Sequence, residues 1–171
     1  FQQTIVWRDV YEKNPTTGAV ERFQRREVIG SVHQMRQIEA DSERRFRDLA
    51  DGAPFVIYMT DDHFRTVFVN KAMLAFTQRT FDEQLAVPLG VNRHPDDADD
   101  LREISRQAIG KRERFTTEQR YRNAEGVYRW LMTDAHPRQD HDGNYAGYIG
   151  YSIDITERRN AEEALRQSEA R

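Results

Sequence analysis

The sequence of 171 residues contains no cysteine. This absence excludes disulfide bonds, thiolate zinc sites and cysteine nucleophiles. Apolar runs are also short, because the longest extends only over Ala53–Met59, whereas a helix needs roughly 20 apolar residues to cross a bilayer. No signal peptide is visible. We therefore expect a soluble, cytoplasmic segment with no direct membrane insertion.

The charges are almost balanced, with 26 basic and 29 acidic residues and a formal net charge of -3. This balance offers no positive surface for nucleic acid, which is therefore not an expected partner. Charged residues make up 32% of the chain, so much of it must be solvated. The length suits one domain of about 100 to 150 residues with extensions.

The first part of the sequence has the pattern of a β-hairpin. Two segments rich in β-branched and aromatic residues, Thr4–Tyr11 and Val20–Ile29, flank an Asn-Pro-Thr-Thr-Gly sequence that favours a turn. Two strands alone are marginally stable in water. We therefore expect residues 1–30 either to pack on another structure or to be the end of a preceding domain.

Residues 31–50 have the pattern of a charged helix with a broken apolar stripe. The stripe consists of Val32, Met35, Ile38, Phe46 and Leu49. It suits a partner helix better than a domain core, and large exposed apolar patches usually mark interfaces. These residues are the predicted interface of a homodimer.

The middle of the sequence predicts a domain with strands at both ends. Predicted strands cover residues 54–60, 66–69, 115–122, 127–138 and 145–153, and predicted helices cover 71–77, 81–85 and a longer segment up to Ile109 that Gly110 caps. Strands followed by helices and again by strands indicate the α+β class. We expect a five-stranded antiparallel sheet with the short helices on one face.

The junction after the last predicted strand combines two periodicities. Up to Ile153 the side chains alternate with the period of two that is typical of a strand, and beyond it the pattern is helical. Asp154 is placed as the N-cap of that helix, and Glu157 follows three residues later as in a capping box. Because the strand enters the helix without a linker, a shift of the strand must reach the helix. Asp154, Thr156 and Glu157 are the predicted relay residues.

Several histidines and acidic residues invite a chemical interpretation. His94, His136 and His141, with Asp96 and Asp97, are candidates for a metal site or an acid–base pair. Their spacing matches no common ligand motif, and the two acids already suit the start of a helix. The sequence also lacks a Ser-His-Asp signature and a glycine-rich phosphate loop. We predict no metal site, no catalytic residue and no enzymatic activity in this segment.

Short motifs in a fixed order carry a family resemblance. They are Phe68-Val69-Asn70-Lys71-Ala72, His94-Pro95-Asp96-Asp97, Glu118-Gln119-Arg120-Tyr121-Arg122, Gly126-Val127-Tyr128-Arg129-Trp130, Asp142-Gly143, Gly150 and Asp154-Ile155-Thr156-Glu157-Arg158. On these motifs the chain from about Ser42 to Arg171 resembles a PAS domain with a C-terminal PAC motif, in the variety marked by His-Pro-Asp-Asp. The resemblance implies the PAS fold, flanked here by N- and C-terminal signalling helices.

The resemblance also implies a sensory or regulatory module of a multi-module, bacterial-type signalling protein. Such a parent protein would carry its effector, for example a histidine kinase of a two-component system or a cyclase, outside this segment. The implied division is a β-hairpin at 1–30 that ends a preceding PAS-like module, a linker helix at 31–50, the PAS domain at 51–156 and a signalling helix at 157–171. That last helix would lead to the effector or to a further PAS module in the same chain.

In a PAS fold the sheet cups a pocket, and large apolar side chains are the candidates for its lining. They are Tyr58, Phe68, Met73, Phe76, Tyr128, Trp130 and Met132. The resemblance argues against a cysteinyl-flavin, since cysteine is absent, and against haem, since the long helix has no histidine. A non-covalent flavin or a small metabolite remains open.

The same apolar side chains can equally be core packing. Two hypotheses therefore stand side by side. In the first, the module senses a signal or a small ligand and relays it through its C-terminal helix to an effector. In the second, it is a dimerisation and relay module with a filled core and no ligand.

Overall fold

The computed structural model describes the backbone of residues 3–169 and the side chains of that range except residues 3–7, 23, 25–35, 100 and 101. The chain divides into two compact units, Phe1–Asp48 and Leu49–Arg171. In chain order the elements are β1 (Gln3–Lys13), β2 (Val20–Ser31), α1 (Val32–Asp51), β3 (Val56–Thr60), β4 (Thr66–Val69), α2 (Lys71–Thr77), α3 (Phe81–Ala86), a 3-10 turn (Pro95–Asp97), α4 (Ala98–Lys111), β5 (Phe115–Arg122), β6 (Tyr128–Gln139), β7 (Tyr145–Asp154) and α5 (Thr156–Glu169).

The first unit contains an antiparallel hairpin of β1 and β2, followed by α1 up to Asp48, and the last turn of α1 belongs to the second unit. The turn forms where the sequence predicts it. The Asn14 side-chain oxygen accepts hydrogen bonds from the amides of Thr16 (2.9 Å) and Thr17 (3.1 Å), and Gly18 adopts a φ of +72° that favours glycine. Local side-chain bonding therefore closes the hairpin.

The second unit is built on a five-stranded antiparallel sheet in the order β4-β3-β7-β6-β5. This architecture confirms the predicted α+β class. The last strand of the chain, β7, lies in the middle and pairs with β3 on one side and β6 on the other. Ser152 of β7 is in register with Val56 and with Thr133, and Thr133 is in register with Thr117. This row of side chains lies on the inner face of the sheet, toward the helices.

Asn70 holds the elements around the core together. Its side chain is fully buried, and its oxygen accepts hydrogen bonds from the amides of Ile57 (2.9 Å) and Met73 (3.3 Å). Its amide nitrogen donates to the carbonyls of Ala50 (2.8 Å) and Phe55 (2.9 Å). A single polar side chain thus caps α2 and ties it to β3 and to the end of α1.

The apolar core lies between α2 and the inner face of the sheet. Its buried centre consists of Val56, Tyr58, Val69 and Met73, against which Leu74, Phe81 and Leu89 pack. Helix α4 extends through Gly110 and ends at Lys111, where Arg112 adopts the left-handed conformation with a φ of 57°. The prediction that Gly110 caps this helix is therefore wrong. In the part of the chain that the structure describes, no helix has the length and apolar character needed to cross a membrane.

Candidate ligand cavity and helix junction

A small cavity of about 40 Å³ lies inside the second unit. It is lined by Val56, Tyr58, Phe64, Met73, Leu89, Gly90, Arg93, Ser105, Phe115, Thr117, Gln119, Tyr121, Leu131, Thr133 and Ser152. One water molecule needs roughly 10 to 15 Å³ measured in this way. The cavity therefore has room for a few water molecules or a very small ligand.

A row of polar side chains crosses the floor of the cavity. Arg93 donates through Nε to Oε1 of Gln119 (2.7 Å), and Gln119 donates through Nε2 to Oγ1 of Thr133 (3.2 Å). The hydroxyls of Thr133 and Ser152 are 2.8 Å apart. All of these residues except Arg93 are buried. The inner face of β5, β6 and β7 thus offers hydrogen-bonding groups where a core would normally be apolar.

Only Tyr58 and Met73 of the predicted lining contact this cavity. Phe68 is buried elsewhere, with its ring 6.5 Å from that of Phe81, and the Phe76 ring lies 6.3 Å from that of Tyr121. Both belong to the packing around the cavity. The prediction is corrected for these two residues.

The three β6 residues of the predicted lining need a larger correction. Tyr128, Trp130 and Met132 lie on the outer face of the sheet, because the residues that face the cavity are Leu131 and Thr133 and successive side chains of a strand alternate between faces. The prediction assigned the largest side chains of β6 to the lining of the pocket. Those side chains are accommodated outside, where the ring of Tyr128 contacts that of His94 in a tilted arrangement with centroids 4.5 Å apart.

The polar residues of the cavity were not predicted from the sequence. The predicted lining consisted of aromatic residues and methionines and did not include Arg93, Gln119, Thr133 or Ser152. A signal was present in β5, where Thr117, Gln119 and Tyr121 share one face. Polar residues that alternate in phase with a buried tyrosine indicate a hydrogen-bonded interior.

The His-Pro-Asp-Asp tetrad connects the start of α4 to β5. His94 accepts a hydrogen bond through Nδ1 from the Asp96 amide (3.2 Å). The Asp97 carboxylate accepts bonds from the Arg120 amide (2.8 Å) and from its guanidinium (2.6 Å). These side-chain bonds from Arg120 hold the pKa of Asp97 below its usual value. The tetrad has a structural use, and no cluster of three metal-ligating side chains occurs among the described residues.

Trp130 on the outer face of β6 holds the beginning of α5. Its backbone amide donates to Oγ1 of Thr156 (2.8 Å), and its carbonyl accepts from the amide of Ile155 (2.8 Å). The guanidinium of Arg159, one turn into the helix, lies 3.9 Å from the centre of the indole ring. Such a cation–π contact adds about 0.5 to 1 kcal/mol where it is exposed. One residue of the sheet therefore fixes the first turn of the helix.

Asp154 contributes to the same junction in a way that differs from the prediction. Helix α5 begins at Thr156, so Asp154 precedes the cap position, and its Oδ1 accepts from the Thr156 amide (2.9 Å). Its Oδ2 accepts from Nε of Arg129 (2.7 Å). Burial opposes the charge of Asp154, but the bonds from Thr156 and Arg129 outweigh it and lower the pKa of this carboxyl.

Of the three predicted relay residues, the structure brings Asp154 and Thr156 into contact. Glu157 is exposed in the first turn, and no hydrogen bond among the described residues joins its carboxylate to Asp154. The predicted capping box is thus replaced by a bond between Asp154 and Thr156. The helix starts one residue later than such a box requires.

The predicted dimer interface lies partly outside the described side chains, because those of Val32 and Met35 are not described. The other three members of the stripe lie on α1. Ile38 is 69% exposed, Phe46 39% and Leu49 79%. Helix α1 thus presents large apolar side chains to solvent, and none of them contributes to the core described above.

Two curated relatives match most of this chain. The protein y4lL of Sinorhizobium fredii is 36% identical over 138 residues, which cover 80% of the chain and 17% of the relative. The two-component sensor PprA of Pseudomonas aeruginosa is 27% identical over 130 residues, which cover 74% of the chain and 14% of the sensor. The chain therefore spans less than a fifth of the length of either relative.

The fold has a counterpart among solved structures. The PAS domain of a Colwellia psychrerythraea protein superposes with a TM-score of 0.59 and 19% identity, covering 68% of this chain and 99% of that domain. The family model described as PAS fold matches residues 50–160, the range that holds the cavity and the start of α5. The chain belongs to the PAS family.

Proposed function

We propose that this PAS module senses through its cavity and relays the change to α5 through β6. The observation that carries the proposal is the position of two consecutive residues. Leu131 lines the cavity, while the backbone of Trp130 holds Ile155 and Thr156 at the start of α5. A movement of β6 that accommodates a ligand therefore displaces the backbone amide and carbonyl of Trp130, which hold the start of α5.

The relay requires that the junction between β6 and α5 adopts two distinct arrangements. A junction that is merely flexible would not transmit a defined change. A ligand shifts such an equilibrium only by the difference in its affinity for the two arrangements. The hydrogen bonds of Trp130 are short and its ring contacts Arg159, so partial displacement of β6 weakens several contacts at once. This favours a concerted change of the first turn of α5 over gradual bending.

The effector would lie elsewhere in a longer protein that contains this module. The similarity to a two-component sensor supports a parent protein in which α5 leads to a histidine kinase effector or to another PAS module. We infer a cytoplasmic location and no catalytic activity for the module itself. The hairpin of β1 and β2 is then the end of a preceding PAS-like module.

A second candidate function, dimerisation, is favoured by the exposed stripe of α1. Ile38 and Leu49 are each more than two-thirds exposed, and burying such side chains stabilises an interface by about 1.5 to 3 kcal/mol each. We infer that α1 pairs with α1 of a second copy. A homodimer of this kind supports relay whether or not the cavity holds a ligand.

Regulated output of the parent protein with its native effector tests the relay. Thr156→Val removes the acceptor of the Trp130 amide, while Thr156→Ser retains a hydroxyl and serves as the matched control. We expect Thr156→Val to reduce the ratio of stimulated to unstimulated output and Thr156→Ser to preserve it. Equal ratios in both variants and in the unmodified protein would refute the relay.

A further inference from the structure

Arg93 stands out among the residues that line the cavity. It is partly buried, and its guanidinium extends beneath Gly90, where a Cβ on the glycine would lie 3.0 Å from Cζ of Arg93. Gly90 has a φ of +91° and donates its amide to the hydroxyl of Tyr121 (3.1 Å). Backbone and side-chain contacts thus hold the guanidinium at the cavity, with Nε committed to Gln119.

The charge of Arg93 has no acidic partner among the described side chains. Its neighbours differ in this respect, because Arg102 pairs with Asp99 (2.9 Å), Arg106 with Glu103 (2.8 Å) and Arg120 with Asp97 (2.6 Å). Burial lowers the pKa of Arg93, which is the direction expected for a desolvated cation without a counter-ion. Buried charges in proteins are normally paired.

A surface groove of about 640 Å³ beside α4 adjoins the cavity. The two share Phe64, Leu89, Gly90, Arg93 and Ser105. Arg93 therefore lies where the groove meets the cavity. Because Arg93 is partly exposed and lines the groove, a small anion can reach it from the groove side.

We propose that the cavity binds a small organic carboxylate, with the Arg93 guanidinium as its counter-ion. The planar fork of a guanidinium matches the two oxygens of a carboxylate. The hydroxyls of Thr133 and Ser152 and the phenol of Tyr58 are further polar groups of the lining, and burial raises the pKa of Tyr58, so its phenol stays a neutral donor. This inference rests on the proposed function and specifies the ligand class of that site.

The apolar lining decides between a carboxylate and an inorganic anion. Val56, Met73 and Leu131 surround the polar row and suit a short hydrocarbon body attached to the charge. A phosphate dianion would bring two charges to one arginine and leave the apolar walls without a partner. The size of the cavity limits the ligand to a few non-hydrogen atoms, so we expect affinities on the order of millimolar.

Nuclear magnetic resonance titration of the whole 171-residue chain with propionate tests the proposal. Propionamide, which has nearly the same shape without the charge, is the matched ligand control, and inorganic phosphate is the competing anion. The reporters are the backbone amides of Gln119, Thr133 and Ser152. We expect saturable shifts with propionate, and binding of propionamide and phosphate at least about tenfold weaker.

Three variants separate the effect of the Arg93 guanidinium from the effect of the positive charge of the groove as a whole. Arg93→Gln should weaken propionate binding at least about tenfold, and Arg93→Lys should retain part of it because a point charge remains. Arg102→Gln, in the groove but paired with Asp99, should change binding by less than about twofold. The dispersion of the amide spectrum shows that each variant is folded.

Several outcomes would overturn the carboxylate site. They are an absence of saturable shifts with propionate, equal binding of propionamide, tighter binding of phosphate, and unchanged binding in a folded Arg93→Gln variant. The relay is tested separately. Propionate binding that leaves α5 unchanged would retain the carboxylate site and remove the relay, whereas a failure to bind would leave the Trp130 junction untouched.

Discussion

The ring of Tyr58 lies against the backbone of Gly150 in the neighbouring strand. The two residues are in register across β3 and β7, and a Cβ at Gly150 would lie 2.5 Å from Cζ of Tyr58. Tyr58 is 5% exposed and belongs to the core. A large buried ring therefore fits at the cavity only because the central strand has no side chain at position 150.

Gly150→Ala should destabilise the domain for this reason. The added methyl forces Tyr58 to move within a packed core, which typically costs about 1 to 3 kcal/mol. Unfolding by urea gives the free energy of unfolding of both proteins. Gly110→Ala is the control, because this helical glycine has open space around it and the change should stabilise by up to about 1 kcal/mol. A neutral Gly150→Ala would show that the Tyr58 packing is misassigned.

Asp134 should make the stability of the domain depend on pH. It is 3% exposed and accepts hydrogen bonds from Arg114 (2.7 and 2.8 Å) and from the hydroxyl of Tyr151 (3.0 Å). The bonds from Arg114, above all, hold the pKa of Asp134 far below its usual value. The contribution of Asp134 to stability is therefore complete above the unfolded pKa of about 4 and decreases as the pH falls below it.

Asp134→Asn tests this dependence. It should lower the free energy of unfolding at pH 7 by roughly 2 kcal/mol, as expected for bonds to a charged group, and reduce the further loss of stability below about pH 4. Urea unfolding between neutral and acidic pH measures both effects. Asp142→Asn, on an exposed turn, should leave the profile unchanged. If Asp134→Asn has the same acid profile as the parent chain, the carboxylate is not the responsible group.

The sheet was predictable from the sequence because β5, β6 and β7 are long and the turns between them have distinctive residues. Strand β5 covers the predicted residues, and β7 differs by one residue at its end. The face of each strand was harder to predict. Along β6, Trp130 and Met132 are larger than Leu131 and Thr133, yet arginines cover the outer indole and the smaller residues face the cavity. Size alone does not identify the buried face when cations can cover an aromatic ring.

Arg93 could not be predicted as a cavity residue, because it lies in no regular element and its position depends on distant contacts. Its backbone forms an isolated bridge with Tyr121, and its guanidinium is bound to Gln119. The error at Gly110 has a local origin. The helix ends at Lys111, and the amide of Arg112 donates to the carbonyls of Ala108 and Ile109, so a left-handed arginine closes the helix two residues after the glycine.

Self-association through α1 can be tested with one charge. Ile38→Glu places a carboxylate in the exposed stripe and should weaken a homodimer at least about tenfold, because it replaces apolar burial by a desolvated charge. Sedimentation velocity over a range of concentrations measures the change. Gln37→Glu, the exposed neighbouring position, adds the same charge and should have little effect. A parent chain that is monomeric at high micromolar concentration would exclude the interface.

The Asp154 carboxylate should stabilise the junction modestly. Asp154→Ala removes its bonds to the Thr156 amide and to Arg129, and losses of this kind cost about 1 kcal/mol. Glu157→Ala is the control from the same turn and should cost less than about 0.5 kcal/mol. Urea unfolding distinguishes the two. Equal losses of stability in the two variants would indicate that the predicted capping box of Asp154 and Glu157 describes the junction better than the contacts of Asp154 with Thr156 and Arg129.

Amide hydrogen exchange in the first turn of α5 tests the relay most directly. Leu131→Val removes one methylene from the cavity wall next to Trp130, and Val69→Ala removes apolar volume from the core in β4, away from the junction. After correction for global stability, we expect the amides of Arg159 and Asn160 to exchange faster in Leu131→Val than in the parent chain. In Val69→Ala these amides should exchange at the rate of the parent chain. Equal exchange of these amides in both variants would contradict transmission from the cavity to α5 through β6.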